Sequence, residues 1–314
     1  MASTRELRRR IRSVKNISQV TKAMQMVAAS KMRRAQERAL ATRPYSERAW
    51  HVLTNLASQR EETEELHPLL RRPAQIRTIG MILITGDRGL CGGYNHNVIQ
   101  AAIESMAESK VPVKLITVGR KGREAMLRLG RDIVAEFPGL PDQPSVTDVI
   151  PLARLVVDGF RQGTFDLVRL AYTDFINTLV QKPVVRRLLP VLIGAVEEEA
   201  MYEYIPGYEP EAVAEYIYEP DPHTILDTVV PRFIELRLYQ AVLESVASEH
   251  SARMVSMQNA TNNALELIDE LTLTYNRARQ QDITSEMLDI AGGAEALRQA
   301  RERQAQERSA QGYR

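Results

Sequence analysis

Residues Pro231–Ala291 read PRFIELRLYQAVLESVASEHSARMVSMQNATNNALELIDELTLTYNRARQQDITSEMLDIA, without a glycine and without a proline after the first residue. Alternating steps of four and three residues, begun just upstream at Val229, select Phe233, Leu236, Gln240, Leu243, Ala247, His250, Met254, Met257, Thr261, Ala264, Ile268, Leu271, Tyr275 and Ala278. Only Gln240, His250 and Thr261 interrupt the apolar face. A period of about 3.5 residues kept this long marks a coiled-coil seam, not the face of a globular helix. At about 1.5 Å per residue the run makes a rod of roughly 90 Å, longer than an ordinary domain is wide. Such a helix needs a partner strand and projects from the domain it belongs to.

The partner is at the other end of the chain. From Ser3 to Arg43 there is again no glycine or proline, and Ser3 with Glu6 has the spacing of a capping box. The same stepping selects Leu7, Ile11, Val14, Ser18, Thr21, Gln25, Ala28, Met32, Ala35, Ala39, Thr42, Ser46, Ala49, Leu53 and Leu56. The middle of this seam is small and polar. Small residues let two backbones approach closely but bury little area, so at ~25 cal/mol per Å² the pair is weakly held by its own packing. Something surrounding it is expected to hold it in place. Pro44 falls in mid-pattern and predicts a kink.

Composition narrows the class. The single cysteine, Cys91, leaves no internal disulfide and suits a reducing compartment. The longest apolar runs, such as Ile79–Ile84, are far short of the ~20 residues that span a bilayer. Arginines near Met1 have no apolar segment behind them, so no signal peptide is expected. Any work at a membrane then goes through partners. Net charge is +1 but unevenly spread: up to Arg48 thirteen bases face only Glu6, Glu37 and Glu47, whereas 195–222 holds nine acids and no base. These runs read either as solvated faces or, for the basic helix, as a surface facing an acidic partner. A basic-region zipper reading, with nucleic acid as partner, conflicts with one chain carrying both long helices and an α/β domain.

Between the helices the pattern alternates. Ile76–Thr85, Val113–Val118 and Ile133–Phe137 read as strands, with helices over Asn95–Ser109, Gly122–Leu129 and Thr147–Arg161. Phe165–Thr173 and Pro183–Leu189 read as a hairpin pair, and 212–218 as a last short element. The reading is α/β: a Rossmann-like, mostly parallel sheet beside a long antiparallel coiled coil of the N- and C-terminal helices. The expected division is 1–60 and 222–296 for the coiled-coil helices, 61–221 for the α/β domain, and 297–314 for a basic extension. Prolines at 206, 210, 220, 222 and 231 are expected to punctuate the return into the long helix.

The turn Gly86-Asp87-Arg88-Gly89-Leu90-Cys91-Gly92-Gly93 sits where a phosphate loop would, after a strand and before a helix. Its glycines do not make G-x-G-x-x-G, and no G-K-[ST] follows. A tight structural or partner-binding turn is the better reading, with no cofactor expected. Cys91 has no histidine in a convincing relation to it and reads as a buried structural thiol. His51, His67, His96, His223 and His250 make no metal-ligand spacing, so no metal and no catalytic residues are expected. An α/β nucleotide-binding enzyme with a coiled-coil docking arm remains the alternative.

Four stretches resemble the gamma subunit of bacterial F-type ATP synthases: ISQVTKAMQMVAASKM at 17–32, TGDRGLCGGYN at 85–95, ASEHSARMVSM at 247–257 and ITSEMLDIAGGAEA at 283–296. The resemblance implies a non-catalytic central rotor shaft inside a hexamer of alpha and beta subunits. It implies further contacts with the epsilon subunit and the membrane c-ring, at the cytoplasmic face of the plasma membrane. Carried over motif by motif, Met24, Arg88, Arg253, Arg279 and Gln280 become rotor–stator contacts. The inserted cysteine pair of the chloroplast type is absent, which excludes that thiol switch. Family members end soon after Gly293-Ala294. The basic tail from Leu297 is therefore extra, and is expected to be partly helical, loosened by Gly292-Gly293 and dispensable for torque.

Overall fold

In the computed structural model the chain is described over residues 3–58, 67–141, 143–191 and 221–311. The acidic stretch as far as residue 220 and the short element expected at 212–218 lie outside these residues. Two long helices frame the chain, α1 (Thr4–Ser58) and α5 (Pro222–Gln311). Between them come β1 (Ile79–Ile84), α2 (Tyr94–Ala107), β2 (Val113–Val118), α3 (Arg120–Arg128), β3 (Ile133–Phe137), α4 (Val146–Arg161), β4 (Leu167–Phe175) and β5 (Gln181–Leu189). The residues form two compact units, one of 1–23 with 258–314 and the other of 24–257.

In the second unit the sheet order is β3-β2-β1-β4-β5, parallel except for the β4–β5 hairpin. Every residue of β1 is buried, as a central parallel strand requires. β1 is shorter than its apolar run suggests. The N–H groups of Arg77 and Thr78 donate to the Asp166 carboxylate at 2.7 and 2.9 Å, so these residues are tied to a side chain and not to a ladder. β5 carries Pro183, tolerable because β5 is an edge strand. One face of the sheet packs Val98, Ala102 and Met106 of α2 with Met126 of α3. The other packs α4 together with Trp50 and Leu53 of α1 and Phe233, Ile234 and Leu238 of α5.

The helix-pair register follows the predicted seam. In the second unit Trp50 meets Phe233 with ring centroids 5.7 Å apart, while Ala35 and Leu243 line one shared recess. Rising numbers on α1 thus meet falling numbers on α5, so the helices are antiparallel. In the first unit Thr21 Oγ1 lies 2.8 Å from Thr261 Oγ1, with Leu7, Ser18 and Ala264 also buried.

Three expectations change. Pro231, expected to punctuate the return into the long helix, lies inside α5, which begins at the expected boundary, Pro222. Proline is accepted at a helix start because the first N–H groups have no helical acceptor anyway. Asp221 caps that start, accepting from the Thr224 N–H at 2.9 Å. The capping box at α1 is half made: the Glu6 N–H donates to Ser3 Oγ at 3.3 Å, but the Glu6 carboxylate pairs with Arg10 at 2.6 Å. An exposed carboxylate gains more from a guanidinium one turn on than from one backbone N–H. Finally, α5 runs unbroken through Gly292-Gly293 to Gln311. Two glycines cost a helix roughly 1 kcal/mol each, too little to stop it.

Candidate functional site

The site that the sequence singles out is the glycine turn after β1, and α5 decides what it does. The Gly86 N–H donates to Asn95 Oδ1 at 2.9 Å, and Asp87 accepts from the Arg120 N–H at 2.9 Å at the start of α3. Thr85 Oγ1 accepts from the Gly122 N–H at 2.8 Å, closing β1 onto the same helix. Leu90 and Gly92 take positive φ values of 62° and 56°, which turn the chain sharply back. A Cβ on Gly86 would stand 2.8 Å from the Glu249 carboxylate, and one on Gly92 2.9 Å from Ser256 Oγ. Gly86 and Gly92 thus leave room for α5 against the turn.

Arg253 makes the clasp. Its guanidinium donates to Glu249 Oε1 at 2.6 Å and to the Gly89 carbonyl at 3.3 Å, and lies 3.2 Å from His250 Nδ1. The Arg253 and Glu249 side chains are only 12% and 17% exposed, so the pair is strengthened by lost water. Glu249 also bears on its neighbours. Burial first, then Glu249, raises the Cys91 thiol above its usual range and the Tyr94 phenol well above its own. Cys91 is buried, takes an Asn95 Nδ2 donor at 3.2 Å and fits the structural-thiol reading.

In doubly wound sheets phosphates bind at the carboxyl ends of the parallel strands. Here the Glu249 carboxylate, ion-paired with Arg253, fills the space beside Gly86. The arrangement can clamp and display; it is not built to cradle a phosphate.

The other predicted residues fall in two groups. Arg88 is exposed on the turn whose carbonyl Arg253 holds, so these two are brought together. Met24 is half-buried on α1. Arg279 and Gln280 belong to the first unit and are exposed, the Gln280 carbonyl accepting from Thr284 Oγ1 at 2.9 Å. In that unit Arg5, Arg8, Arg9, Arg10, Arg12 and Lys15 are exposed, as are Ile17 and Val20. Every α5 residue from 279 to 301 is exposed. Thr21 opposite Thr261 sets Thr4, the first residue of α1, opposite a residue near 278, where α5 becomes bare.

Sequence reasoning missed Glu249, although its spacing of four before Arg253 is the signal of a helical ion pair. It also missed Ser245, Ser248 and Ser251, all buried. Ser248 Oγ donates to the Thr173 carbonyl at 3.2 Å and Ser251 Oγ to the Thr178 carbonyl at 2.7 Å, fastening α5 to the hairpin. His67, likewise unassigned, is buried: it accepts from the Leu69 N–H through Nδ1 at 3.3 Å, so its Nε2 donates to Asp227 of α5 at 3.0 Å.

Comparison with known proteins agrees with this architecture. The family described as ATP synthase matches residues 3–297. An ATP synthase gamma chain of Dehalococcoides mccartyi is 50% identical over 298 residues, spanning 95% of this chain and 100% of its own length. One from Herpetosiphon aurantiacus is 47% identical over 307 residues, with the same shares covered. Among solved structures, a chain of the Euglena gracilis mitochondrial ATP synthase OSCP/F1/c-ring assembly superposes with a TM-score of 0.62 at 20% identity, over 94% of both chains. A chain of the Tetrahymena thermophila mitochondrial central stalk and c-ring gives 0.55 at 22% identity, over 77% of this chain and 99% of that one. The fold is shared at identities where sequence alone says little, and at 50% identity over nearly its whole length this chain belongs to the ATP synthase gamma-chain family.

Proposed function

We propose that this chain is the central-stalk rotor subunit of an F-type ATP synthase. It carries no active site and couples rotation of a membrane ion-driven ring to conformational cycling of the catalytic beta subunits. One observation supports this reading above others. The helices meet along a narrow seam of small and hydroxyl residues, while Ile17, Val20, Met26 and Val27 remain more than half exposed beside a basic surface. Such a face suits a sheath of partner subunits, here alpha and beta, with epsilon and the c-ring at the α/β domain. Among the described residues no helix is long and apolar enough to cross a membrane, in keeping with attachment through partners at the cytoplasmic face.

Coupling is then differential contact. A shaft whose surface differs around its axis stabilises one beta conformation over another, and only that difference shifts the equilibrium. Arg88, Arg279 and Gln280 are exposed and serve as direct contacts, and Met24, half-buried on α1, serves as a further one. Arg253 acts through the turn it holds, setting how Arg88 and Leu90 are displayed. The alternative, a nucleotide-binding enzyme, is disfavoured by the Glu249 carboxylate beside Gly86. Reconstitution with alpha and beta subunits tests the reading. Arg279→Ala should lower coupled turnover severalfold with assembly intact. ATP turnover by the isolated chain would overturn the proposal.

A further inference from the structure

The α/β domain holds a cleft of about 720 Å³ that a rotor shaft does not need. It lies between α2 and the β4–β5 hairpin, near the amino end of β4. The glycine turn is at the opposite ends of the strands. Arg72, Arg169 and Arg187 line it, with Glu104 and Glu108 along α2. Arg169 and Arg187 are direct partners across the antiparallel pair. Like charges set opposite one another destabilise a sheet unless something lies between them. Among the described residues no carboxylate pairs with any of these three arginines, whereas the adjacent Arg186, on the other face, pairs with Asp174 at 3.2 Å.

Arg169 is also held in position. Its Nη1 donates to Ser105 Oγ at 2.9 Å, Ser109 Oγ at 3.1 Å and the Ser105 carbonyl at 3.3 Å. All three bonds use one nitrogen, which leaves the rest of the guanidinium fork for a ligand. A fixed, planar fork is what recognises an oxyanion through two parallel hydrogen bonds. The volume lies within the range of small-molecule sites, and Ile76, Leu167 and Val185 add apolar surface for an organic body.

We infer that this cleft binds a small phosphate-bearing molecule, its oxyanion held between Arg169 and Arg187 with Arg72 as a third cation. Inorganic phosphate is the probe, titrated into the full chain and followed by calorimetry and thermal melting, with sodium chloride at matched ionic strength as control. Saturable binding that chloride does not reproduce is expected. Arg187→Gln, at an exposed position that does not disturb folding, should weaken it at least tenfold. Arg161→Gln, the same charge change at the exposed end of α4, should leave it unchanged. A response that chloride matches, or that Arg187→Gln leaves intact, or that Arg161→Gln reduces equally, makes the arginines a solvated pair and overturns the inference.

Discussion

Arg253 holds three groups at once, and its neighbours state what its loss would do. Without the guanidinium, Glu249 keeps a largely buried carboxylate facing the raised groups Cys91 and Tyr94. Removing one partner of a buried pair costs more than the pair itself contributes, because the other charge is stranded. Arg253→Ala should therefore destabilise the chain by about 2–3 kcal/mol. Adding Glu249→Gln should recover part of that. Chemical denaturation of the single and double variants measures both, and an additive double variant would show that the two side chains do not act as a pair.

At the scale of the helices, the seam makes two separate forecasts. Thr21 and Thr261 share a buried hydrogen bond of 2.8 Å, so either Thr→Val alone removes that bond, at about 1 kcal/mol. The double replacement should cost less than the sum of the singles, which a double-mutant cycle on melting of the assembled complex reports. Seam position sets the second forecast. Leu243 is fully buried between α1 and the sheet, so Leu243→Asp should cost more than about 3 kcal/mol. Leu271 is only half-buried where the helices stand alone, and Leu271→Asp should cost about 1–1.5 kcal/mol. Equal losses would mean that the sheet adds nothing to α5.

At the scale of the whole chain, the tail is what the relatives lack. The family match ends at residue 297, and the gamma chains compared span 95% of this chain while matching all of their own length. α5 nonetheless continues to Gln311, past two glycines whose Cβ positions meet nothing within 4 Å. The residues after Leu297 are rich in Ala, Arg, Gln and Glu, and the helix there is carried by propensity without an apolar stripe. Truncation after Leu297 should leave ATPase rate and coupling within about twofold of the full chain. A larger change would assign the tail a regulatory contact.

The sequence by itself determined both seams. Among described side chains, each selected α1 position is buried or half-buried, and beyond residue 257 α5 is covered only along the selected stripe and at its immediate neighbours Gln258 and Ala260. It also determined the strands Val113–Val118 and Ile133–Phe137 to the residue, and the β4–β5 hairpin. These features are local: a repeat of fixed period or a bounded apolar run carries its own face. The tertiary structure alone decided the second buried face of α5, where Val230, Ile234, Leu238, Ala241 and Ser245 pack away from the seam. A helix buried on two sides has no single stripe for periodicity to find. It alone decided the fate of the glycine turn as well. Glycines spaced for a tight turn read alike whether they admit a phosphate or another helix, and only the arrival of Glu249 and Arg253, more than 150 residues later, selects the helix.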